Sequence, residues 1–261
     1  RIESSDNVFT DTEVLFLPAL LNRYGDKQNN FTLYKLMATY LWAQTRFGTF
    51  RKQTQDDPPL SARLAEYSEP QRALSIFFAL ESIRLEACIK RELPGLWRQM
   101  NTLLEITSDN PSTIEWQNAL SELKESTSTI ETTLEQLKLI YPQSVTAPTP
   151  QPWHGTLQLE LAEQVLAIRM EQDREELKVR LSKLLQDDQT LDDSAIRQIE
   201  LVTQENTAGE MELMLEIDGN PVATPPDIKQ ILQSMLLDLD EIPPEYLVAA
   251  GAGDYDAGPN E

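Results

Sequence analysis

Apolar residues recur with helical spacing early in the chain, between Phe31 and Gly48. Their steps of three and four residues place them on one face of a helix. Asn30 precedes the run and Gly48 follows it, as the start and stop signals of a helix do. The residues of this face are Leu33, Leu36, Met37, Tyr40, Leu41 and Gln44. We therefore predict a core-facing helix over residues 31–48.

A second helical pattern runs from Pro70 to the dipeptide Pro94-Gly95, which redirects the chain into a third apolar pattern. Ser68 and Gln71 have the spacing of a capping box at its start. The predicted buried stripe consists of Ala73, Ile76, Phe77, Leu80, Ile83 and Ala87. Because no such helix can bury its stripe alone, we expect residues 1–108 to form an N-terminal helical domain around one core.

A heptad pattern follows Asn110-Pro111, which is a helix start signal. After a Pro-rich linker at 142–152, a second long helical pattern extends over Leu157–Leu185. We predict a long antiparallel helical hairpin within residues 109–206, and the pattern leaves open whether it joins a compact bundle or projects as a stalk. The heptad positions are Trp116, Leu120, Leu123, Thr127, Ile130, Leu134, Leu137 and Tyr141.

The last third of the chain contains the one convincing β pattern. Near residues 210–223, apolar and acidic residues alternate and then meet an Asp-Gly-Asn turn, which predicts a short strand or hairpin. A helix is predicted over Ile228–Leu239. These elements make up a segment at 207–248, and residues 249–261 are interpreted as a linker toward a missing C-terminal domain. The predicted fold class is mainly all-α, a multi-helix bundle with one small β element.

Charge is spread unevenly over the 261 residues, whose net charge is −21. Residues 1–110 carry 13 Lys and Arg against 14 Asp and Glu, whereas residues 111–261 carry 9 against 29. Such acidity repels phosphate backbones and anionic lipid, so we expect binding to neither nucleic acid nor a membrane. A basic protein partner would be attracted. The alternative is that the acidity only keeps solvated helix faces soluble.

The termini bear on location. The N-terminus lacks the basic start and apolar core of a signal peptide, and no apolar run approaches the roughly 20 residues that span a bilayer. A cytoplasmic location is expected. The start at Arg1 and the loose composition after residue 249 suggest a fragment of a longer polypeptide.

Candidate catalytic residues are few. The chain has no phosphate-binding loop motif and no nucleophile-elbow motif. His154 is the only histidine and is expected to be exposed in the linker, which excludes histidine triads and multi-histidine metal sites. Cys88 is expected to be a buried structural thiol. Acidic pairs are interpreted as loop surface: Asp56-Asp57, Asp187-Asp188, Asp192-Asp193 and Asp238/Asp240. We predict no enzyme activity and assign no catalytic, cofactor-binding or metal-binding residue.

Three longer patterns occur in order along the chain. The first has an acidic-aliphatic-Leu-Pro start, an N-F-x-x-Y-K helix and a terminal F-G-T-F, at Glu13–Pro18, Asn30–Lys35 and Phe47–Phe50. The second is the helix with Glu81-x-x-Arg84-x-Glu86 that ends at Pro94-Gly95-Leu96. The third comprises EMELMLEIDGNPV and ILQSMLLDLDEIPPEYLVAAGAGDYD. This succession resembles the CbbO/NorD family, whose members carry a von Willebrand factor A domain and serve as adaptors of MoxR-type AAA+ ATPases.

The third pattern is more similar to the CbbO branch, the adaptor subunit of a Rubisco activase, than to NorD, the nitric oxide reductase activation protein. The resemblance implies a non-catalytic adaptor without a cofactor in this fragment, whose partner is a hexameric, CbbQ-like ATPase that hydrolyses ATP. The pair would act as a chaperone in carbon fixation, with Rubisco as the client. Further hypotheses are a NorD-like activation or maturation factor, a structural coiled-coil scaffold, and an enzyme subunit that uses a partner's cofactor.

In this family the client is engaged by a C-terminal von Willebrand factor A domain with an adhesion site of pattern D-x-S-x-S. The segment Asp192–Ile196 lacks the second serine, so the client-binding domain is expected to follow Glu261. Docking on the ATPase ring is accordingly assigned to the helical part. The candidate docking surface is the aromatic first block, which consists of Tyr34, Tyr40, Trp42, Phe47 and Phe50. The alternative, which the general burial of aromatic residues favours, is that most of these residues belong to the core.

Overall fold

The computed structural model describes residues 1–52, 57–107, 121–143, 147–187, 198–205, 211–239 and 241–248. The described chain is mainly helical, as predicted. It divides into two compact units, Arg1–Leu166 and Ala167–Glu261, and the boundary lies inside a helix. The sequence had placed segment limits at residues 108, 206 and 248.

Among the described residues of the first unit, the helices include α1 (Lys27–Arg46), α2 (Leu60–Ala65), α3 (Pro70–Glu92), α4 (Pro94–Thr107), α5 (Ile130–Ile140) and the start of α6 (Leu159–Asp187). Helix α1 begins four residues earlier than predicted, because the carboxylate of Asp26 caps it. Asn30 instead accepts hydrogen bonds from the backbone N–H groups of Arg23 and Tyr24, and so fixes the preceding turn. Gly48, with φ of +70°, follows the end of α1 as predicted.

Helix α3 begins at Pro70 as predicted, but the predicted capping box is absent. The N-cap is Glu69, and its side chain makes no capping bond. The backbone N–H of Glu69 donates to the Tyr141 hydroxyl at 2.9 Å, and that hydroxyl also lies 2.9 Å from Ser68 Oγ. Tyr141, just beyond the end of α5, is therefore the hydrogen-bond partner of Ser68. This tertiary contact replaces the predicted local bond between Ser68 and the first turn of α3.

The predicted long helix through the heptad pattern is wrong over residues 124–129, which lie outside any helix. Helix α5 begins anew after Thr129, whose backbone N–H donates to Thr132 Oγ1 at 3.2 Å. The later heptad positions are nevertheless buried in one core: Leu123, Ile130, Leu134 and Leu137. Thr127, a heptad position that lies in the turn, is exposed. The pattern therefore marked the burial of these four residues but not the continuity of the backbone. Trp116 and Leu120 lie outside the described residues.

A small sheet at the N-terminus was not predicted. It consists of β1 (Ile2–Ser4), β2 (Phe9–Thr10) and β3 (Leu15–Leu17) in the order β1-β3-β2. β1 runs parallel and β2 antiparallel to β3, and the rings of Phe9 and Phe16 stack at 4.3 Å. Strands of two or three residues are too short to show an alternating pattern.

Helix α3 is the centre of the first unit, because it contributes to two apolar cores. One core combines α3 with α2, α5 and the start of α6, through residues that include Leu64, Ile76, Phe77, Leu134 and Ala162. The other combines α3 with β3, α1 and α4, through residues that include Leu17, Leu36, Leu85, Ile89 and Met100. Polar residues on α3 therefore face protein on several sides.

The second unit contains the remainder of α6, strands β4 (Ile199–Glu205), β5 (Met211–Ile217) and β6 (Asn220–Val222), helix α7 (Pro226–Leu239) and a 3₁₀ turn at Pro244–Tyr246. The strands form an antiparallel sheet in chain order. Asp218 and Gly219 both have positive φ, as the turn of a tight hairpin requires. The sequence predicted a short strand or a hairpin; β5 and β6 form a hairpin, and β4 extends it. Among the described helices, none combines the length and apolarity needed to cross a bilayer.

Candidate functional site

A buried ion pair lies at the centre of α3, formed by two residues of the second sequence pattern. Arg84 Nε donates to Glu81 Oε2 at 2.9 Å, and Arg84 Nη2 donates to Glu81 Oε1 at 2.5 Å. The two side chains are only 1–2% exposed. The i, i+3 spacing puts both groups on one helix face, so that the guanidinium can meet the carboxylate with two parallel bonds.

Two threonines from other elements complete the surroundings of Glu81. The hydroxyl of Thr49, in the loop after α1, donates to Oε1 at 2.5 Å, and that of Thr133, on α5, donates to Oε2 at 2.7 Å. Arg84 Nη2 also donates to the carbonyl oxygen of Phe47 at 3.0 Å. The pair thus joins the end of α1, α3 and α5 at one point.

Both members of the pair are ionised in the folded chain. Burial opposes the charge on Glu81, but the charge and hydrogen bonds of Arg84, together with the two threonine hydroxyls, outweigh it and lower the pKa of this carboxyl. Burial likewise opposes the charge on Arg84, and Glu81 outweighs it so that the pKa of the guanidinium is raised. A carboxylate with four donors around it is therefore a poor general base.

A second buried contact lies on the same helix, between Tyr40 of α1 and Ser82 of α3. Their hydroxyl oxygens are 2.7 Å apart, and the Ser82 hydroxyl also lies 2.7 Å from the Phe78 carbonyl oxygen. Since Ser82 has a single hydroxyl hydrogen and a carbonyl can only accept, Tyr40 is the donor to Ser82. Burial raises the pKa of Tyr40, which therefore stays neutral.

His154 is buried, which corrects the prediction that it is exposed in the linker. Its Nε2 lies 2.8 Å from Glu86 Oε1, and its Nδ1 accepts from the backbone N–H of Gln151 at 3.2 Å. A backbone N–H can only donate, so Nδ1 carries no proton and Nε2–H donates to Glu86. The ring also stacks on Tyr40, with centroids 4.6 Å apart. His154 thus fixes the loop 151–156 to α3.

The same loop approaches the N-terminal sheet closely. Gly155 has φ of +67°, and a Cβ atom at this position would collide with the backbone carbonyl of Val8. The backbone N–H of Thr156 donates to that same carbonyl oxygen at 2.8 Å. Only glycine combines this backbone conformation with so close an approach, so Gly155 sets the path of the loop.

Glu81, Arg84 and Glu86 thus each have a buried or half-buried polar partner from another part of the chain. With Tyr40 and His154 they form what we call the α3 polar network. The network has two hydrogen-bonded groups, one around Glu81 and Arg84 and one between Glu86 and His154, and the Tyr40 ring stacks on His154 in the second group. Sequence reasoning singled out the three α3 residues but missed Tyr40, Thr49, Thr133 and His154 as their partners. The one signal in the sequence for these partners was the position of the single histidine, His154, between Trp153 and Gly155.

The other candidate residues are placed separately. Cys88 is buried as predicted, and burial raises the pKa of its thiol. Asp238 lies within α7 rather than in a surface loop, and it accepts two bonds from Arg169 at 2.7 and 3.0 Å. Its neighbour Asp240 lies outside the described residues, as do Asp56, Asp188 and the segment 192–196. Within the described residues, no group of three His, Cys, Asp or Glu side chains could hold a metal ion.

The aromatic first block is divided between core and surface. Tyr40 and Phe50 are buried and cannot contact a partner, which corrects their place in the predicted docking surface. Tyr34 and Phe47 are half-buried, whereas Trp42 is 37% exposed. Phe31, which was not among the predicted residues, is 57% exposed on the same helix. Comparison of the chain with protein-family models, with curated proteins and with solved structures finds no match.

Proposed function

We propose that this chain is a non-catalytic adaptor subunit that docks on a hexameric MoxR-type AAA+ ATPase and couples it to a client protein. The proposed client is inhibited Rubisco. The ATPase hydrolyses ATP, the adaptor presents the client, and remodelling releases a tightly bound sugar phosphate. The proposal starts from the resemblance of three sequence blocks to the CbbO/NorD family.

The observation that carries the proposal is the role of the second block in the fold. Glu81, Arg84 and Glu86 are not scattered surface charges, because each makes a specific contact within the α3 polar network. A sequence pattern whose members all make structural contacts with distant parts of the chain is unlike a chance similarity of composition. This supports the family resemblance on which the adaptor function rests.

The chemistry of the network supports binding rather than catalysis. Glu81 is surrounded by donors, and His154 uses both ring nitrogens in contacts with the chain itself. Groups engaged in this way hold elements in place and take no part in proton transfer to a substrate. The first unit therefore offers a rigid helical scaffold to a partner.

The test is size-exclusion chromatography of the chain with its cognate MoxR-type ATPase hexamer, in ATP and in ADP. The proposal expects co-migration in at least one nucleotide state and a changed rate of ATP hydrolysis by the hexamer. Bovine serum albumin at the same concentration is the control for non-specific retention. Absence of association in both nucleotides would contradict the adaptor function.

The client is tested separately from ring docking. Inhibited Rubisco is incubated with the ATPase, ATP and the adaptor, and carboxylation is followed over time. We expect recovery that needs all three components. Ring docking without Rubisco recovery, together with a gain in nitric oxide reductase activity on co-expression, would assign the chain to the NorD-like role instead.

A further inference from the structure

Helix α1 presents aromatic and cationic side chains to the surface on one face. Phe31, Lys35, Trp42 and Arg46 are separated by 4, 11 and 15 residues, so they fall within an arc of about 60° on the helix and extend over ~22 Å along it. Phe31 and Trp42 are both substantially exposed, whereas Tyr40 on the opposite side is buried. We call these four residues the α1 outer face.

The charge of this region is opposite to that of the chain. No acidic residue lies between Asp26 and Asp56, and the five charged residues in that interval are Lys27, Lys35, Arg46, Arg51 and Lys52. The chain as a whole has a net charge of −21. A run of positively charged residues inside a negatively charged chain creates a local positive potential, which attracts acidic groups.

The cations of the α1 outer face contact neutral groups. The ammonium of Lys35 donates to Gln99 Oε1 at 2.5 Å and lies 5.2 Å from the centre of the Phe31 ring. The guanidinium of Arg46 lies 5.9 Å from the Phe47 ring. Among the residues that the structure describes, neither Lys35 nor Arg46 pairs with a carboxylate.

Helix α6 shows what a solvated charged face looks like in this chain. Its half-buried cations pair with carboxylates one turn away, as Arg174–Glu171, Lys178–Glu175 and Arg180–Glu176. Among the described residues, the cations of the α1 outer face form no pairs of this kind with carboxylates. The same face also exposes two large aromatic side chains, Phe31 and Trp42. Tryptophan and arginine are the residues on which binding energy concentrates in protein interfaces.

We propose that the α1 outer face is the surface that docks on the ATPase ring, against a site with carboxylates around an apolar centre. This inference rests on the adaptor function proposed above. The Trp42 ring is already held edge-on against Phe47 at 5.6 Å, and Lys35 is held by Gln99, so little side-chain freedom is lost on binding.

The test compares two double variants of the full chain. Each variant replaces one exposed apolar side chain by alanine and one cationic residue by glutamate. Trp42→Ala with Arg46→Glu alters the α1 outer face, and Leu139→Ala with Lys138→Glu alters an exposed pair on α5 of the same unit. Dissociation constants for the cognate hexamer are measured by isothermal titration calorimetry at low and high salt. Circular dichroism and thermal unfolding verify that both variants fold.

We expect the α1 variant to bind at least about tenfold more weakly and the α5 variant to bind within about twofold of the wild type. Higher salt should weaken the wild type more than the α1 variant, because that variant has lost a charge that contacts the partner. Unchanged affinity of the α1 variant would overturn the docking face while the adaptor function stands.

Two further outcomes would overturn the inference in different ways. If the wild-type chain does not bind the hexamer in ATP or ADP, the docking face and the adaptor function both fail. If the chain alone self-associates, or binds a labelled single-stranded oligonucleotide, and only the α1 variant abolishes this, the α1 outer face serves a second copy or a nucleic acid instead.

Discussion

Arg84 places two guanidinium nitrogens on the two carboxylate oxygens of Glu81, one helical turn earlier on α3, where both side chains are almost fully buried. The desolvation of such a pair offsets much of its attraction, so the pair adds little compared with two well-packed apolar residues. Substitution of only one member of the pair is strongly destabilising, because the charge of the other member then stays buried without a counter-charge. The pair therefore makes the junction of α1, α3 and α5 dependent on both residues.

Glu81→Gln is expected to destabilise the first unit by about 3–5 kcal/mol, because it leaves the Arg84 charge buried without its counter-charge. All four tryptophans lie within residues 1–166, so urea unfolding followed by tryptophan fluorescence reports on this unit. Glu135→Gln, at an exposed position of α5, is the control and should change stability by less than about 0.5 kcal/mol. A loss below about 1 kcal/mol for Glu81→Gln would contradict the charged state of the pair.

The free energy of unfolding of the first unit is expected to decrease at low pH, in part because Glu81 becomes protonated. The pKa of this carboxyl is lowered from its ordinary 4.5 in the folded chain, so the unfolded chain takes up the proton first as the pH decreases. The contribution of Glu81 is complete above pH 4.5 and is lost as the pH falls through the lowered folded value.

The measurement is the free energy of unfolding of the wild type and of Glu81→Gln between pH 7 and pH 3. We expect the difference between the two proteins to be constant near neutrality and to shrink below about pH 4.5. A difference that stays constant down to pH 3 would show that Glu81 carries no lowered pKa.

His154 is expected to occur as the Nε2–H tautomer, because its Nδ1 accepts from the backbone of Gln151. Long-range ¹H–¹⁵N NMR spectra of the chain at neutral pH resolve the two ring nitrogens, and a single histidine makes assignment immediate. The spectra should show an unprotonated Nδ1 and a protonated Nε2. A protonated Nδ1 would mean that the contacts to Gln151 and Glu86 differ from those described here.

Gly155→Ala is expected to destabilise the first unit by more than about 1 kcal/mol, because a Cβ would meet the Val8 carbonyl in a backbone conformation with positive φ. Gly25→Ala is the matched control, since a Cβ there has no atom within 4 Å. Both are compared with the wild type by urea unfolding and tryptophan fluorescence. Equal stability of the two variants would argue against the close approach of the loop to Val8.

Local signals in the sequence identified several elements correctly. The apolar periodicity of α1 and α3 gave their buried faces, and Pro70 and Gly48 marked a start and a stop. The Asp-Gly turn after Ile217 predicted the hairpin, because two successive residues with positive φ restrict the sequence strongly. In each case the information lies within one or two helical turns or one hairpin.

The two main errors differ in origin, and one of them arises from a contact between distant residues. The sequence around Ser68 has the spacing of a capping box, yet the Ser68 hydroxyl bonds to Tyr141, which is 73 residues away. The heptad pattern continues through residues 124–129, yet the chain turns there. The loss of the cap cannot be read from residues close in sequence, because its competitor lies beyond another helix. The restart of the helix after the turn is marked locally, since the backbone N–H of Thr129 donates to Thr132 Oγ1.

The sequence by itself determined a mainly helical chain with buried faces on α1, α3 and α7, one β-hairpin and a strong excess of acidic residues, because periodicity, turn chemistry and charge are local properties. Only the tertiary structure decided which residues contact Glu81, Arg84, Tyr40 and His154, and that Phe31 and Trp42 remain at the surface. The reason is physical: burial and hydrogen-bond partners depend on which helices meet, and in this chain the partners are up to 148 residues apart.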